Sequence, residues 1–199
     1  MVHPDVLNFF ENGAVQFGKS HRASGWFSAF TQELRFHVLA SSLNWEALHH
    51  VLDVGCGQGD LVDFCKTHDY PCLYQGVDVS PSMIEIARAT VPHAEFRVQD
   101  FMSSNFQSQV DFVVGSGLAN VDIENAVPYV CELIRKGFSL SRVGCGFNFL
   151  SSLTPVSDRK SQMIYYDPIE ILKFCFTLTP HVMLNHHYLP NDFTVCLFK

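Results

Sequence analysis

The stretch Val51-Leu52-Asp53-Val54-Gly55-Cys56-Gly57-Gln58-Gly59-Asp60-Leu61 decides the fold. Four strand-compatible residues run into three glycines at alternate positions, and a helical pattern begins directly after them. This reads as a buried strand, a tight turn that something must approach closely, and a helix N-terminus. In an open α/β sheet, ligands bind over the carboxyl end of such a strand. A dinucleotide fingerprint requires Gly-x-Gly-x-x-Gly. Here the spacing is Gly55-x-Gly57-x-Gly59, followed by Asp60 and preceded by Asp53 inside the strand end.

Beyond the motif, helix and strand alternate. A helix is expected over 58–67 and a strand over 72–78, ending in Gly76-Val77-Asp78. Ser80-Pro81 opens the next helix, with Ser as N-cap and Pro at the first helical position. Strands follow at 94–99 and 110–114, then a helix over 122–136 with a kink expected at Pro128, then a strand over 142–149. Asp167-Pro168-Ile169-Glu170 carries a cap, a proline and a capping-box acid, and starts a helix reaching Leu178. His181–Tyr188 and Phe193–Phe198 read as strands separated by Leu189-Pro190-Asn191-Asp192. So short a turn requires an antiparallel pair. The alternation upstream implies parallel βαβ units, with helices covering both faces of the sheet.

Upstream of the motif, residues 4–13 form a short helix with Pro4 in its first turn and Gly13 near its end, and 16–22 is a loop. From Trp26 to Ser42, Phe27, Phe30, Leu34 and Val38 recur at helical spacing, with Gln32 and Arg35 on the flank. Trp45-Glu46-Ala47-Leu48 then leads into the first strand.

Asp-x-Gly-x-Gly-x-Gly, as Asp53 to Gly59, resembles the signature of class I S-adenosylmethionine-dependent methyltransferases. The resemblance runs from residue 51 almost to the end. Gly76–Ser80 resembles the family's second strand end, Phe96–Phe101 its third, Asp111–Ser116 its fourth, and the closing hairpin its antiparallel last strands. It implies one domain over 1–199, with a helical lid and acceptor-side segment at 1–48 and a Rossmann-like seven-stranded core at 49–199. It also implies S-adenosyl-L-methionine as cofactor. The ribose hydroxyls want a bidentate acceptor, which Asp78 supplies at its strand end. Asp53 offers negative charge to the methionyl ammonium, and Gly55, Cys56 and Gly57 let the backbone come into contact. Asp100 accepts from the adenine amino group and the Phe101 amide donates to the ring. Val79 and Met83 flank the adenine, and Ser116 and Gly117 line the methionyl channel. The segment 24–36 resembles the lid helix of some small bacterial members. There Arg35 either meets the cofactor carboxylate or is a solvated helix-face residue. Trp26 and Phe17 either close over the site or anchor the lid.

Composition narrows the partners. Of 199 residues 47% are hydrophobic, enough for a buried core, and the net charge is −7. Eight carboxylates against three basic residues fall within 51–100. No run of Lys or Arg offers a footprint for nucleic acid or anionic membrane, so neither is expected as a partner. Seven scattered cysteines without Cys-x-x-Cys argue against a structural zinc site or a disulfide framework, and no metal is expected. Met1-Val2-His3-Pro4-Asp5 is not a signal-peptide start and no apolar run reaches membrane-spanning length, so a cytoplasmic location is expected.

A methyl transfer from an activated sulfonium rests on alignment and desolvation, and needs a base only where the acceptor is protonated. The candidates are His21 in the loop before the lid, Asn120 after the fourth strand and His186 near the closing hairpin, each of which is also readable as structural. No Asn/Asp-Pro-Pro-Tyr/Phe follows that strand, as it does in family members acting on exocyclic amines, and no acidic trio suggests a magnesium site. The loop 151–166 and residues 1–45 are left to shape the acceptor pocket. The expected activity is methyl transfer to a small molecule at O, N or S. The alternatives are a protein or peptide methyltransferase, and a non-catalytic S-adenosylmethionine-binding protein with its acceptor cavity filled by Phe149 or Tyr165.

Overall fold

The computed structural model describes residues 4–26, 28–43 and 48–199. Met1–His3, Phe27 and the Trp45–Ala47 part of the expected lead-in lie outside the described residues. In chain order the elements are α1 (Pro4–Phe17), α2 (Ala29–Ser42), β1 (His49–Val54), α3 (Asp60–Thr67), β2 (Cys72–Asp78), α4 (Pro81–Thr90) and β3 (Glu95–Val98). Then come β4 (Val110–Ser116), α5 (Ala126–Leu140), β5 (Ser141–Leu150), α6 (Pro168–Phe176), β6 (Val182–Asn185) and β7 (Asp192–Phe198), with one 3-10 turn at Val156–Asp158.

The seven strands form a single sheet in the order β3-β2-β1-β4-β5-β7-β6. The first five are parallel, whereas β7 runs antiparallel to both β5 and β6. The order reverses between β1 and β4, so the loops after these two strands diverge and leave a crevice at their carboxyl ends. Alternation along the strands divides the core. Leu52, Val113, Cys145, Phe147 and Phe149 pack with α5 and α6 on one face. Val51, Phe112, Val114 and Cys196 pack with α2 and α3 on the other. A strand buried on both faces in this way reads as a continuous apolar run.

Local chemistry sets several boundaries. Ser80 Oγ accepts from Met83 N to cap α4, with Pro81 at the first helical position. Asp167 caps α6 through Ile169 N and Glu170 N. Three expectations are corrected. α1 continues past Gly13 to Phe17, because a side chain at 13 would strike the Ala23 carbonyl and glycine alone allows that approach. α5 starts at Ala126, so Pro128 falls in the first turn, where a missing N–H costs no hydrogen bond. α2 starts at Ala29 behind the Ser28 cap, with Phe30 mostly exposed and Gln32, Arg35 and Phe36 buried.

Candidate functional site

The glycine turn opens a cleft at the switch point. Gly55, Gly57 and Gly59 all have positive φ, at 68°, 53° and 78°. A Cβ on Gly55 would lie 2.7 Å from Leu118 Cβ, and one on Gly57 would lie 3.3 Å from Ser24 Oγ. Gly55 N and Cys56 N both donate to Val77 O, at 2.8 and 3.1 Å, which ties the turn to the end of β2. The cleft and its mouth enclose about 900 Å³, ample for a nucleoside-sized ligand.

Of the expected cofactor-side residues, the structure brings Asp53, Gly55, Cys56, Gly57, Asp78, Val79, Asp100, Phe101, Ser116 and Gly117 to the wall of this cleft. Asp78 is gripped by backbone: its Oδ2 accepts from Gly57 N and its Oδ1 from Ser80 N, both at 2.9 Å. Asp53 Oδ2 accepts from Tyr74 Oη at 2.7 Å. Asp100 Oδ1 accepts from Met102 N at 2.8 Å, turning the chain after β3. Ser116 Oγ is buried and has no hydrogen-bond partner among the described residues.

The cleft is electrostatically unbalanced. Burial pushes the Asp53 carboxyl up to about 7, with Tyr74 pulling down and the charges of Asp78 and Asp60 adding to the rise. Burial also raises Asp78, against the pull of the Ser80 and Gly57 amides, and Glu11 adds to the rise. Neither has a cationic partner among the described residues, and a cation between them would relieve both.

Two expected cofactor residues lie elsewhere. Met83 is fully buried under α1 with Ala14 and Ala23, so it does not flank the cleft. Arg35 is neither at the cleft wall nor solvated. Its Nε donates to Asp192 Oδ1 at 2.6 Å, a second bond joins the guanidinium to Asp192 Oδ2, and Nη1 donates to Thr31 O at 2.9 Å. The face of Arg35 covers the Trp26 ring at 4.6 Å. Burial pushes the Asp192 carboxyl up, and the bidentate pair opposes that push.

The candidate catalytic residues separate as well. The side chains of His21 and His186 line neither this cleft nor the neighbouring cavity. His21 contributes its carbonyl to Trp26 N at 3.1 Å. His186 Nε2 pairs with Ser151 Oγ at 2.7 Å, and its ring stacks over Phe193. Asn120 does line the neighbouring cavity, and its Oδ1 accepts from Leu150 N at 3.3 Å. That second cavity encloses about 820 Å³ with its mouth and shares Phe10, Ser24, Trp26 and Gly117 with the cleft. Phe9, Phe10 and the segment 158–165 bound it; Tyr165 lines it without closing it, and Phe149 is in the core. Phe17 reaches neither space.

Sequence reading missed the side chains that pin the N-terminal segment over the cleft. Glu11 in α1 accepts from Ser82 N at 3.2 Å and Ser82 Oγ at 2.6 Å, and also from Ser80 Oγ, at the N-terminus of α4. Lys19 Nζ reaches Gln58 O at 2.9 Å and Asp60 at 2.8 Å, and Gln32 Nε2 donates to Asp60 at 2.8 Å. Position in the sequence carries no signal for these pairs. The charge excess within 51–100 is their nearest trace.

The comparisons with known proteins agree with this geometry. The pattern of a family described as "Methyltransferase domain" matches residues 51–137. Rv1506c of Mycobacterium tuberculosis (strain ATCC 25618 / H37Rv), provisionally named a methyltransferase, is 30% identical over 154 residues, covering 74% of this chain and 91% of that protein. Among solved structures, magnesium protoporphyrin IX methyltransferase (ChlM) from Synechocystis PCC 6803 with bound SAH is similar with a TM-score of 0.69 at 14% identity, covering 98% of each chain. The plantazolicin methyltransferase BpumL, in complex with a triazolic desmethylPZN analog and SAH, gives a TM-score of 0.64 at 16% identity over 98% of this chain and 97% of that one. The cleft at the switch point, the matched segment and the mycobacterial relative place the chain in the class I S-adenosylmethionine-dependent methyltransferase family.

Proposed function

We propose that this protein holds S-adenosylmethionine in the cleft after β1 and methylates a small molecule. The observation that carries the reading is the pair of buried, cation-free carboxylates, Asp53 and Asp78, at the ends of adjacent strands β1 and β2. Asp78, locked by two amides, keeps lone pairs for two ribose hydroxyls. Asp53 sits beside the glycine turn, where an ammonium would hold its carboxyl charged. Val79 and Phe101 supply apolar walls for the adenine, and Asp100 accepts from its amino group. Ser116 Oγ and the Gly117 backbone face the methionyl end. When bound, the cofactor supplies a methyl group on a positive sulfur, and an acceptor lone pair forms the new bond as the carbon–sulfur pair returns to sulfur.

A small acceptor is favoured by the second cavity, a bounded pocket under α1 and the segment 158–165 and not an open groove. That neither Tyr165, at its edge, nor Phe149, in the core, fills this pocket favours turnover over a purely binding role. Calorimetry with S-adenosylhomocysteine and with NAD tests the cofactor. Binding of S-adenosylhomocysteine alone is expected, and binding of NAD alone refutes the reading. Asp78→Ala is expected to weaken S-adenosylhomocysteine binding at least about tenfold, ~1.4 kcal/mol, as a charge-assisted hydrogen bond is lost. Unchanged affinity would remove Asp78 from the ribose role.

A further inference from the structure

The wall between the two cavities is made of few parts. Trp26 and Gly117 line both spaces. A Cβ on Gly117, whose φ is +74°, would lie 2.5 Å from Trp26 Cη2, so the indole lies against bare backbone. Its other support is the Arg35 guanidinium at 4.6 Å from the ring centroid. That guanidinium is aimed by Asp192, an ion pair whose side chains are 6% and 1% exposed. Burying such a pair costs desolvation that its attraction only partly offsets, so its retention points to a use in fixing geometry. Here the geometry fixed is the plane of an indole standing between the cofactor cleft and the second cavity.

The second cavity has a definite chemistry. Trp26, Phe9, Tyr165, Met163 and Leu150 give it an aromatic and apolar wall, and Ser24, Arg35, Asp158, Lys160 and Asn191 give it a polar margin. Asn120 is 8% exposed, its Oδ1 is taken by Leu150 N, and its Nδ2 has no hydrogen-bond partner among the described residues. An unspent amide donor beside the aromatic wall favours a ligand that offers it an accepting atom.

We infer that the second cavity is the acceptor site, that it takes a planar aromatic or heteroaromatic molecule offering a hydrogen-bond-accepting atom to Asn120, and that Trp26 is the surface on which that ring stacks. Arg35 and Asp192 are positioning residues that act through Trp26. The inference rests on the cofactor reading above and adds the substrate class and the residue that selects it. Offset stacking against a fixed indole favours flat rings over saturated ones.

The test uses the full chain, loaded with S-adenosylhomocysteine, and the two indole N–H resonances of its two tryptophans, assigned with Trp45→Phe. The probes are quinoline, which is planar and carries an accepting nitrogen; naphthalene, planar with no accepting atom; and decahydroquinoline, saturated. Quinoline is expected to shift the Trp26 resonance saturably, and decahydroquinoline is not. Asn120→Leu should weaken quinoline about tenfold and leave naphthalene within about threefold, as expected for one lost hydrogen bond. Arg35→Lys, which keeps the charge but not the planar fork, should broaden or move the Trp26 resonance and leave that of Trp45 in place.

Failure of S-adenosylhomocysteine to bind the unaltered protein sinks the cofactor reading, and this inference with it. Normal binding of S-adenosylhomocysteine without a saturable Trp26 shift from quinoline overturns this inference alone. So does quinoline binding indifferent to Asn120→Leu, or an equal shift from decahydroquinoline. Because these measurements leave Trp26 itself unaltered, misfolding of a Trp26 variant cannot obscure the result.

Discussion

The two sides of the site are built by different means. On the cofactor side, backbone does the holding: Asp78 is fixed by the amides of Gly57 and Ser80, and the glycine turn hangs from Val77 O. Around the second cavity and along the N-terminal segment, side chains meet partners distant in sequence: Arg35 with Asp192, Asn120 with the Leu150 amide, and Glu11 with Ser80 and Ser82. A backbone-built feature is carried by a short local pattern and tolerates little change. A side-chain-built feature needs partners that the local sequence does not reveal, and it can be re-specified one residue at a time.

The difference predicts a graded set of effects. The largest belongs to the glycine turn. Gly55→Val places a branched side chain at φ 68° against Leu118 Cβ, and is expected to cost about 3 kcal/mol or more in urea unfolding through combined strain and overlap. A loss below about 1 kcal/mol would show that the turn can relax and would undo the contrast.

Asp53→Asn tests the charge on the same side. A carboxyl raised to about 7 contributes stability that is complete below its unfolded value near 3.8 and is lost as pH rises through 7. The asparagine variant of the free protein should therefore be the more stable of the two above pH 7. Binding of a cationic ligand pulls the carboxyl down, so it releases a proton near neutrality, and affinity for S-adenosylhomocysteine rises between pH 6 and 8. In Asp53→Asn that slope should vanish. Calorimetry in buffers of different ionisation enthalpy measures the proton directly, and zero release in the unaltered protein would contradict the assignment.

The smallest effect belongs to the N-terminal segment. Hydrogen bonds from Ser80 and Ser82 hold the Glu11 carboxyl below its ordinary 4.5 in spite of partial burial, which acts to raise it. Its contribution is present above that pH and fades as pH falls through the folded value. Glu11→Ala removes a helix-terminal contact worth about 1 kcal/mol. It should speed proteolysis within residues 4–26 while leaving core unfolding almost unchanged. Equal loss in both would mean that α1 belongs to the core and not to a separately held segment.

What was legible in the sequence follows the same division. Asp53 to Gly59, Ser80-Pro81 and Asp167-Pro168 each declare their geometry within a few residues, and the strand ends carrying Asp78 and Asp100 could be placed from them. α2 could not be oriented. Periodicity put Phe30 inside and Arg35 on the flank, but Arg35 is buried by Asp192 and Gln32 by Asp60, and no window around 29–42 contains either acid. Met83 failed for a related reason: its own helix was read correctly, but the helix that covers it comes from residues 4–17. His21 and His186 were candidates by residue type alone, and type gave no position.

The Arg35–Asp192 pair spans 157 residues, which has a consequence for the chain as it is made. The glycine turn and its partner strands β1, β2 and β4 are complete once residue 116 is available, and they can collapse on local pairings. The indole wall cannot be set until residue 192 has emerged, at about 5–20 residues per second several seconds later. During that interval Arg35 has Thr31 O and the Trp26 ring beside it, but not the carboxylate that pairs with it. The cleft after β1 is thus encoded well before the ion pair that backs the Trp26 indole, and a chain ending before β7 would lack the carboxylate that pairs with Arg35.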